Sequence, residues 1–228
     1  MMRKTLGKIL DLFGIHRFVN KIRFFIPMLR KRRMLHEHGL KALIILKEVF
    51  EKNESFFWLE FGTLLGAYRD KAFIHHDYDI DLGILAGNKI NDLNKIIKPL
   101  GFIKTREIFI PDKGVIEETY VYHGVHIDLL YFYTEEDNLV CYLFYPGKGE
   151  YWRDVIKTIG LLAVSYTFKN TGYEEFMFCG NKFFVPKDTD LHLKECYGNY
   201  NKRVINWDDE QAQNRLITEI RCFFSELD

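Results

Sequence analysis

Net charge is what this chain lacks first: 32 basic residues balance 32 acidic ones over 228 positions. Without an overall field there is no electrostatic footprint for nucleic acid, and no nucleic-acid partner is expected. Cysteine is scarce too. Cys141, Cys179, Cys196 and Cys222 are widely spaced and form no C-x-x-C pair, which leaves no basis for a zinc knuckle or a dithiol redox motif. Reduced thiols packed in a core are the ordinary reading. No apolar run approaches the roughly 18 residues a membrane span requires. Residues 1–15 mix charges with apolar groups and lack the uninterrupted core of a secretory signal. These absences point to a cytoplasmic chain. Internal repeats and low-complexity stretches are missing as well.

What is present suits a globular enzyme. Apolar residues make up 47% and aromatics 16% of the chain, ample material for a core and the opposite of a disordered composition. The length fits one domain with an appended segment, here divided as 1–38 and 39–228. The first 35 residues carry ten Lys and Arg against one acid, Asp11. Leu10, Phe13, Phe18, Ile22 and Phe25 interleave with the basic residues. Such a basic amphipathic helix could lie on an anionic membrane at its inner face, or dock on the body with its cationic side in water. Pro27 predicts a break into two pieces.

The remaining pattern predicts an α/β (α+β) fold, a mixed sheet flanked by helices. Helices are expected over 36–52, 88–100, 188–197 and 208–226, with a short one opening at Gly62–Thr63. Strands are expected over 56–61, 79–85, 102–110, 115–123 and 125–133, with a hairpin over 176–185.

One stretch is chemically distinctive: Gly62-Thr63-Leu64-Leu65-Gly66-Ala67-Tyr68-Arg69, then Phe73-Ile74-His75-His76-Asp77-Tyr78-Asp79-Ile80-Asp81-Leu82-Gly83. Asp79 and Asp81 are two apart on a strand, so both leave the same face. Two crowded carboxylates repel unless a cation lies between them, and their oxygens suit Mg²⁺ (or Mn²⁺). Asp128, flanked by Ile127 and Leu129, would join them if its strand lies alongside. Three carboxylates can hold metal against a phosphate-bearing donor. Gly62 permits close backbone approach, and with Thr63 it opens a helix whose free N–H groups attract phosphate. Arg69 is a candidate phosphate clamp. His75 and His76 are poor ligands for an oxygen-rich magnesium site; His76 is expected to line substrate, and Asp77 to be a further acid near the metal. Each has a duller alternative: the acids as a solvated strand face, Thr63 as a helix cap, Arg69 as a surface ion-pair partner.

At these residues the chain resembles the LicD, fukutin and fukutin-related protein family of the nucleotidyltransferase superfamily. That family's hallmark is similar to G-T-L-L-G-x-x-R followed by F-I-P-W-D-D-D-I-D. Here His75, His76 and Tyr78 replace the Pro, the Trp and the middle acid, while Asp79 and Asp81 keep the D-x-D pair and Asp128 is similar to the third acid. Phe178 through Pro186 and Tyr197-Gly198 resemble the family's later hairpin, Pro and Tyr-Gly pattern. The resemblance implies transfer of a phosphocholine or alditol-phosphate group from a CDP-activated donor (CDP-choline, CDP-ribitol or CDP-glycerol) to a glycan hydroxyl. The altered residues leave the donor group open. Two other readings stand beside it: transfer of a nucleoside monophosphate from a triphosphate, and a non-catalytic membrane-surface module.

Overall fold

The computed structural model describes residues 15–156, 158–204 and 211–226. A single helix, α1, runs over Ile15–Lys52. From Leu35 on, its buried residues are Gly39, Ala42, Leu43, Leu46, Val49 and Phe50, one stripe at helical spacing. That stripe seats the helix on the sheet. The helix continues through Pro27, correcting the expected break. A proline forfeits one backbone hydrogen bond at a cost of about 3 kcal/mol, and a helix anchored along its C-terminal half tolerates this. The expected boundary at residue 38 falls inside α1. Of the basic segment over 1–35, residues 1–14 and the side chains of 15–26 lie outside the described residues.

The other elements are β1 (Trp58–Leu59), α2 (Phe61–Leu65) with a π-helical turn over Gly66–Asp70, β2 (Asp79–Leu85), α3 (Leu93–Ile97), β3 (Phe102–Ile110), β4 (Gly114–Tyr122), β5 (Val125–Glu135), β6 (Asn138–Tyr145), α4 (Trp152–Val155), β7 (Leu161–Lys169), β8 (Tyr173–Phe178), β9 (Asn181–Pro186), α5 (Thr189–Tyr197) and β10 (Arg215–Glu226). The ten strands form one mixed sheet in the order β4-β3-β10-β7-β6-β5-β2-β1-β9-β8. A further β4–β5 pairing closes the strands from β4 round to β5 into a ring of ladders. Outside the ring, β2 pairs parallel with β5 and β1 parallel with β9.

The fold is the α/β arrangement anticipated, with three local corrections. The helix expected over 208–226 is a strand from Arg215 onward. Ile217, Thr218, Ile220, Phe223 and Phe224 favour a pleated surface, and the segment pairs with β3 on one side and β7 on the other. The helix expected over 88–100 shrinks to Leu93–Ile97, with a 3₁₀ turn over Lys98–Leu100 and Gly101 at φ 97°. Strands β6 and β7 were not anticipated at all.

The cores follow from this layout. Leu43, Leu46, Ile80, Leu82, Ile127 and Leu129 meet beneath α1. Trp58, Leu130, Phe132, Cys141 and Phe168 form a second cluster, and Ile108, Ile116, Tyr142, Leu161 and Cys222 a third.

Candidate active site

The site begins with the parallel β2–β5 ladder. Its register sets Asp79 beside His126, Ile80 beside Ile127, Asp81 beside Asp128 and Leu82 beside Leu129. Ile80, Leu82, Ile127 and Leu129 are fully buried under α1. Strand alternation then sends Asp79, Asp81 and Asp128 to the opposite face. The three acids placed there by sequence are thus brought together by pairing with no loop between them.

The α2 segment fixes this face from above. The Glu60 N–H donates to the Asp81 carbonyl at 3.0 Å, and the Asp81 N–H donates to Thr63 Oγ1 at 3.0 Å. Both backbone groups of Asp81 are therefore clamped by residues flanking Gly62. A Cβ on Gly62 would lie 2.8 Å from Asp77 Oδ2 and 3.6 Å from Asp81 Oδ2, so glycine is what lets the acids crowd α2. Gly83 serves a neighbouring need: a Cβ there would come within 2.1 Å of the Trp58 ring. Trp58 Nε1 in turn donates to Glu60 Oε2 at 2.6 Å.

Electrostatic crowding is the site's main property. Burial, then the charges of Asp77 and Asp128, push the Asp79 carboxyl well above the usual range. Burial, then Asp79 and Asp128, do the same to Asp81. Asp77 sits just before β2, accepts from the Tyr78 N–H at 2.9 Å, and is hydrogen-bonded to the Asp79 carboxyl. Across the ladder, Thr119 of β4 donates to Asp128 Oδ1 at 2.5 Å, and Arg106 Nη2 stands 3.5 Å from the same oxygen. Lys31 of α1 lies 5.7 Å from the centre of the Tyr78 ring and draws the Asp79 carboxyl downward.

Asp79, Asp81 and Asp128 line a cleft of about 400 Å³ together with Gly62, Arg106 and Glu117, a size within the range of small-ligand sites. Phe61, Tyr145, Tyr166 and Tyr197 give it an aromatic wall. A pocket of about 70 Å³ between α1 and β9, at Lys47, Phe50 and Phe183, contains none of the acids. Among the described residues, no three His, Cys, Asp or Glu side chains are gathered closely enough to enclose an ion as they stand. What fits a hard divalent cation is the donor chemistry: carboxylate oxygens from three strand positions on one face, mutually repelling.

The other anticipated residues lie elsewhere. Thr63 is buried and acts through the Asp81 backbone. Arg69 forks onto Asp70 at 3.1 and 2.9 Å and reaches the Tyr200 carbonyl at 3.1 Å. His76 contributes to the charge felt by Asp70. Neither Arg69 nor His76 is part of the cleft lining.

Sequence reasoning missed several residues. Arg106 and Glu117 occupy segments read as plain strands. Glu60 is fully buried and meets His192 Nε2 at 2.7 Å, tying α5 to the start of α2. The available signal was an acid in the aromatic run before Gly62, a costly placement unless paired. His126 shares the acid face through its register with Asp79, and burial lowers its proton affinity.

A sequence model described as LicD/FKTN/FKRP, nucleotidyltransferase domain, matches residues 55–188. An uncharacterized protein of Rickettsia typhi is 31% identical over 131 residues, covering 54% of this chain and 39% of that relative. An uncharacterized protein of Rickettsia prowazekii is 35% identical over 65 residues, covering 27% of this chain and 24% of that relative. The chain thus spans less than half the length of these curated relatives. The family match takes in the α2 clamp, the β2 acids and Asp128 and extends over more than half of the sequence, and on that ground the chain belongs to the LicD/FKTN/FKRP nucleotidyltransferase-domain family.

Proposed function

We propose that the chain is a divalent-metal-dependent transferase that moves a phosphocholine or alditol-phosphate group from a CDP-activated donor to a glycan hydroxyl. Membership of the LicD/FKTN/FKRP family supports a transferase of phosphocholine-type groups. The observation that carries the reading is the β2–β5 register, which sets Asp81 beside Asp128 on the cleft face of a parallel ladder.

Asp79, Asp81 and Asp128 would hold Mg²⁺ or Mn²⁺. Bound there, the ion offsets charge that develops on the phosphoryl oxygens. The acceptor hydroxyl attacks the phosphorus bearing the transferred group, the bond from that phosphorus to the bridging oxygen breaks, and CMP leaves. Asp128 receives the hydroxyl proton. Gly62 allows the phosphates close to the backbone, Thr63 holds the strand beneath Asp81, and Asp77 accompanies the metal acids. Arg69 and His76 support the rim through Asp70, away from direct phosphate contact.

No described helix is long and apolar enough to cross a membrane. We place the chain in the cytoplasm, with residues 1–35 as its contact with anionic lipid; flotation with anionic liposomes, with and without that segment, tests this.

The function is tested by thermal shift with Mg²⁺ and CDP-choline, CDP-ribitol, CDP-glycerol, CTP or ATP. Stabilisation by a CDP-linked donor, lost in Asp79→Asn and Asp81→Asn, is the expected result. Stabilisation by a triphosphate alone would mean nucleotidyl transfer with pyrophosphate release. Silence toward every nucleotide with either metal would remove the enzyme reading and leave a non-catalytic membrane-surface module.

A further inference from the structure

Arg106 is the one basic side chain in the cleft lining among the described residues. Its position there depends on a bulge. In the β3–β4 ladder Lys104 faces Tyr120, but Arg106 faces Thr119, so two steps on β3 match one on β4. Without the bulge Lys104 and Arg106 would share a face. With it they part: Lys104 bonds Glu118 at 2.9 Å, whereas Arg106 turns toward Glu117, Thr119 and Asp128. Bulges commonly re-aim a side chain beside a functional site.

The guanidinium is held in a fixed plane. Nε donates to Thr119 Oγ1 at 3.1 Å and Nη2 to Glu117 Oε1 at 2.6 Å. Its carbon lies 5.2 Å from the Phe144 ring centre and 5.8 Å from that of Phe224. Among the described residues Nη1 has no hydrogen-bond partner. A planar, stacked fork with a spare N–H edge suits the oxygens of a phosphate. A phosphate entering this cleft meets Asp79, Asp81, Asp128 and Glu117, and Arg106 is the cation of the cleft lining placed to offset them.

We propose that Arg106 is the residue of this cleft that engages the donor's phosphate. The inference rests on the transferase reading above and adds the residue by which the chain itself grips the anion. Glu117 and Thr119 are then positioning residues that hold the guanidinium plane, and the same plane restrains Asp128.

Isothermal titration of CDP and of cytidine, each with saturating Mg²⁺, into the wild-type chain, Arg106→Lys and Arg106→Gln tests this. The Lys variant keeps the charge and guards against loss of folding in the Gln variant. Wild type should bind CDP more tightly than cytidine. Both variants should lose roughly tenfold or more in CDP affinity, since the oriented guanidinium N–H edge is lost in each, and should keep the affinity for cytidine. Equal losses for CDP and cytidine would show a merely structural role and overturn the proposal. CDP affinity within about twofold of wild type in both variants would overturn it too, leaving the transferase reading intact. A wild-type chain that binds no CDP with Mg²⁺ would sink the transferase reading and this inference together.

Discussion

The cleft has two walls, and different rules place their side chains. On the β2–β5 wall, strict alternation between core and cleft positions decides everything: Ile80, Leu82, Ile127 and Leu129 face inward, and the acids have nowhere else to go. On the β3–β4 wall, alternation is broken at Lys104/Arg106, and the residue that reaches the cleft does so because of the irregularity. A regular ladder makes a site whose members can be read from their spacing. A bulged ladder makes one that depends on where a strand slips.

The largest effect expected tests the regular wall. Asp81→Asn keeps shape and removes a charge proposed to hold the metal, and turnover with Mg²⁺ should fall by roughly a thousandfold or more if the ion carries the phosphoryl charge. The same variant should be no less stable without metal. Burial and the neighbouring carboxylates raise the Asp81 proton affinity well above its usual value, so its ionised form costs stability at neutral pH. A rate preserved in Asp81→Asn, measured against added Mg²⁺, would show that the alternating face is only a solvated edge.

Next comes the junction between α2, which clamps the regular wall, and α5. Glu60 and His192 are buried and meet at 2.7 Å, and His192 stacks on Phe168 with ring centres 4.0 Å apart. His192→Ala removes one partner of a buried pair and opens a cavity, so a loss of about 3–5 kcal/mol is expected. Urea denaturation measures it. Since α5 also delivers Cys196 and Tyr197 to the cleft, a loss below about 1 kcal/mol would mean that the pair does not tie α5 to α2.

These outcomes bear on how far the string of residues could be read. The β2 acids and Gly62 were legible because alternation and a glycine beside acids are local signals. That Asp128 faces them was a conjecture until the parallel register was known, because strand pairing is a long-range event. Arg106 was hidden, since a period of two puts it on the face of Lys104. Strands β6 and β7 escaped notice because residues 138–145 form a nearly continuous apolar run without a strand's polar alternation. The β10 segment was misread as helix because its place between β3 and β7 is a tertiary demand that overrides local preference. Arg69 reads as a phosphate clamp from its charge beside the Gly62–Thr63 helix start, while the π-helical turn over Gly66–Asp70 directs it to Asp70.

A pH measurement sharpens the comparison on the bulged wall. Burial and then Asp128 push the Glu117 carboxyl up to about 8, against the opposing pull of Arg106 and Thr119. An acid whose proton affinity rises on folding contributes stability that is complete below the unfolded value and disappears as pH climbs to the folded one. Stability of the metal-free chain should therefore decline between about pH 4.5 and 8, and Glu117→Gln should flatten that decline. Denaturation curves at both ends of the window check it. An unchanged slope in the variant would assign the decline to the regular wall, where Asp79 and Asp81 shift in the same direction.

The smallest effect at the cleft is expected from Arg69→Gln. Arg69 spends its donors on both oxygens of Asp70 and on the Tyr200 carbonyl. Arg203 also holds Asp70, at 2.8 Å, so the carboxylate keeps a partner when Arg69 is lost. The cost should be about 1–2 kcal/mol of stability, from a lost charge-assisted fork and an unsatisfied carbonyl. CDP affinity with Mg²⁺ should stay within about twofold of wild type, because no donor of this side chain faces the cleft. The pairing of this variant with Arg106→Lys is what gives it force. If Arg69→Gln abolished CDP binding while Arg106→Lys left it intact, the phosphate would lie over the π-helical turn, the expectation of a phosphate clamp at Arg69 would stand, and the bulge at Arg106 would be a device for holding Asp128 alone.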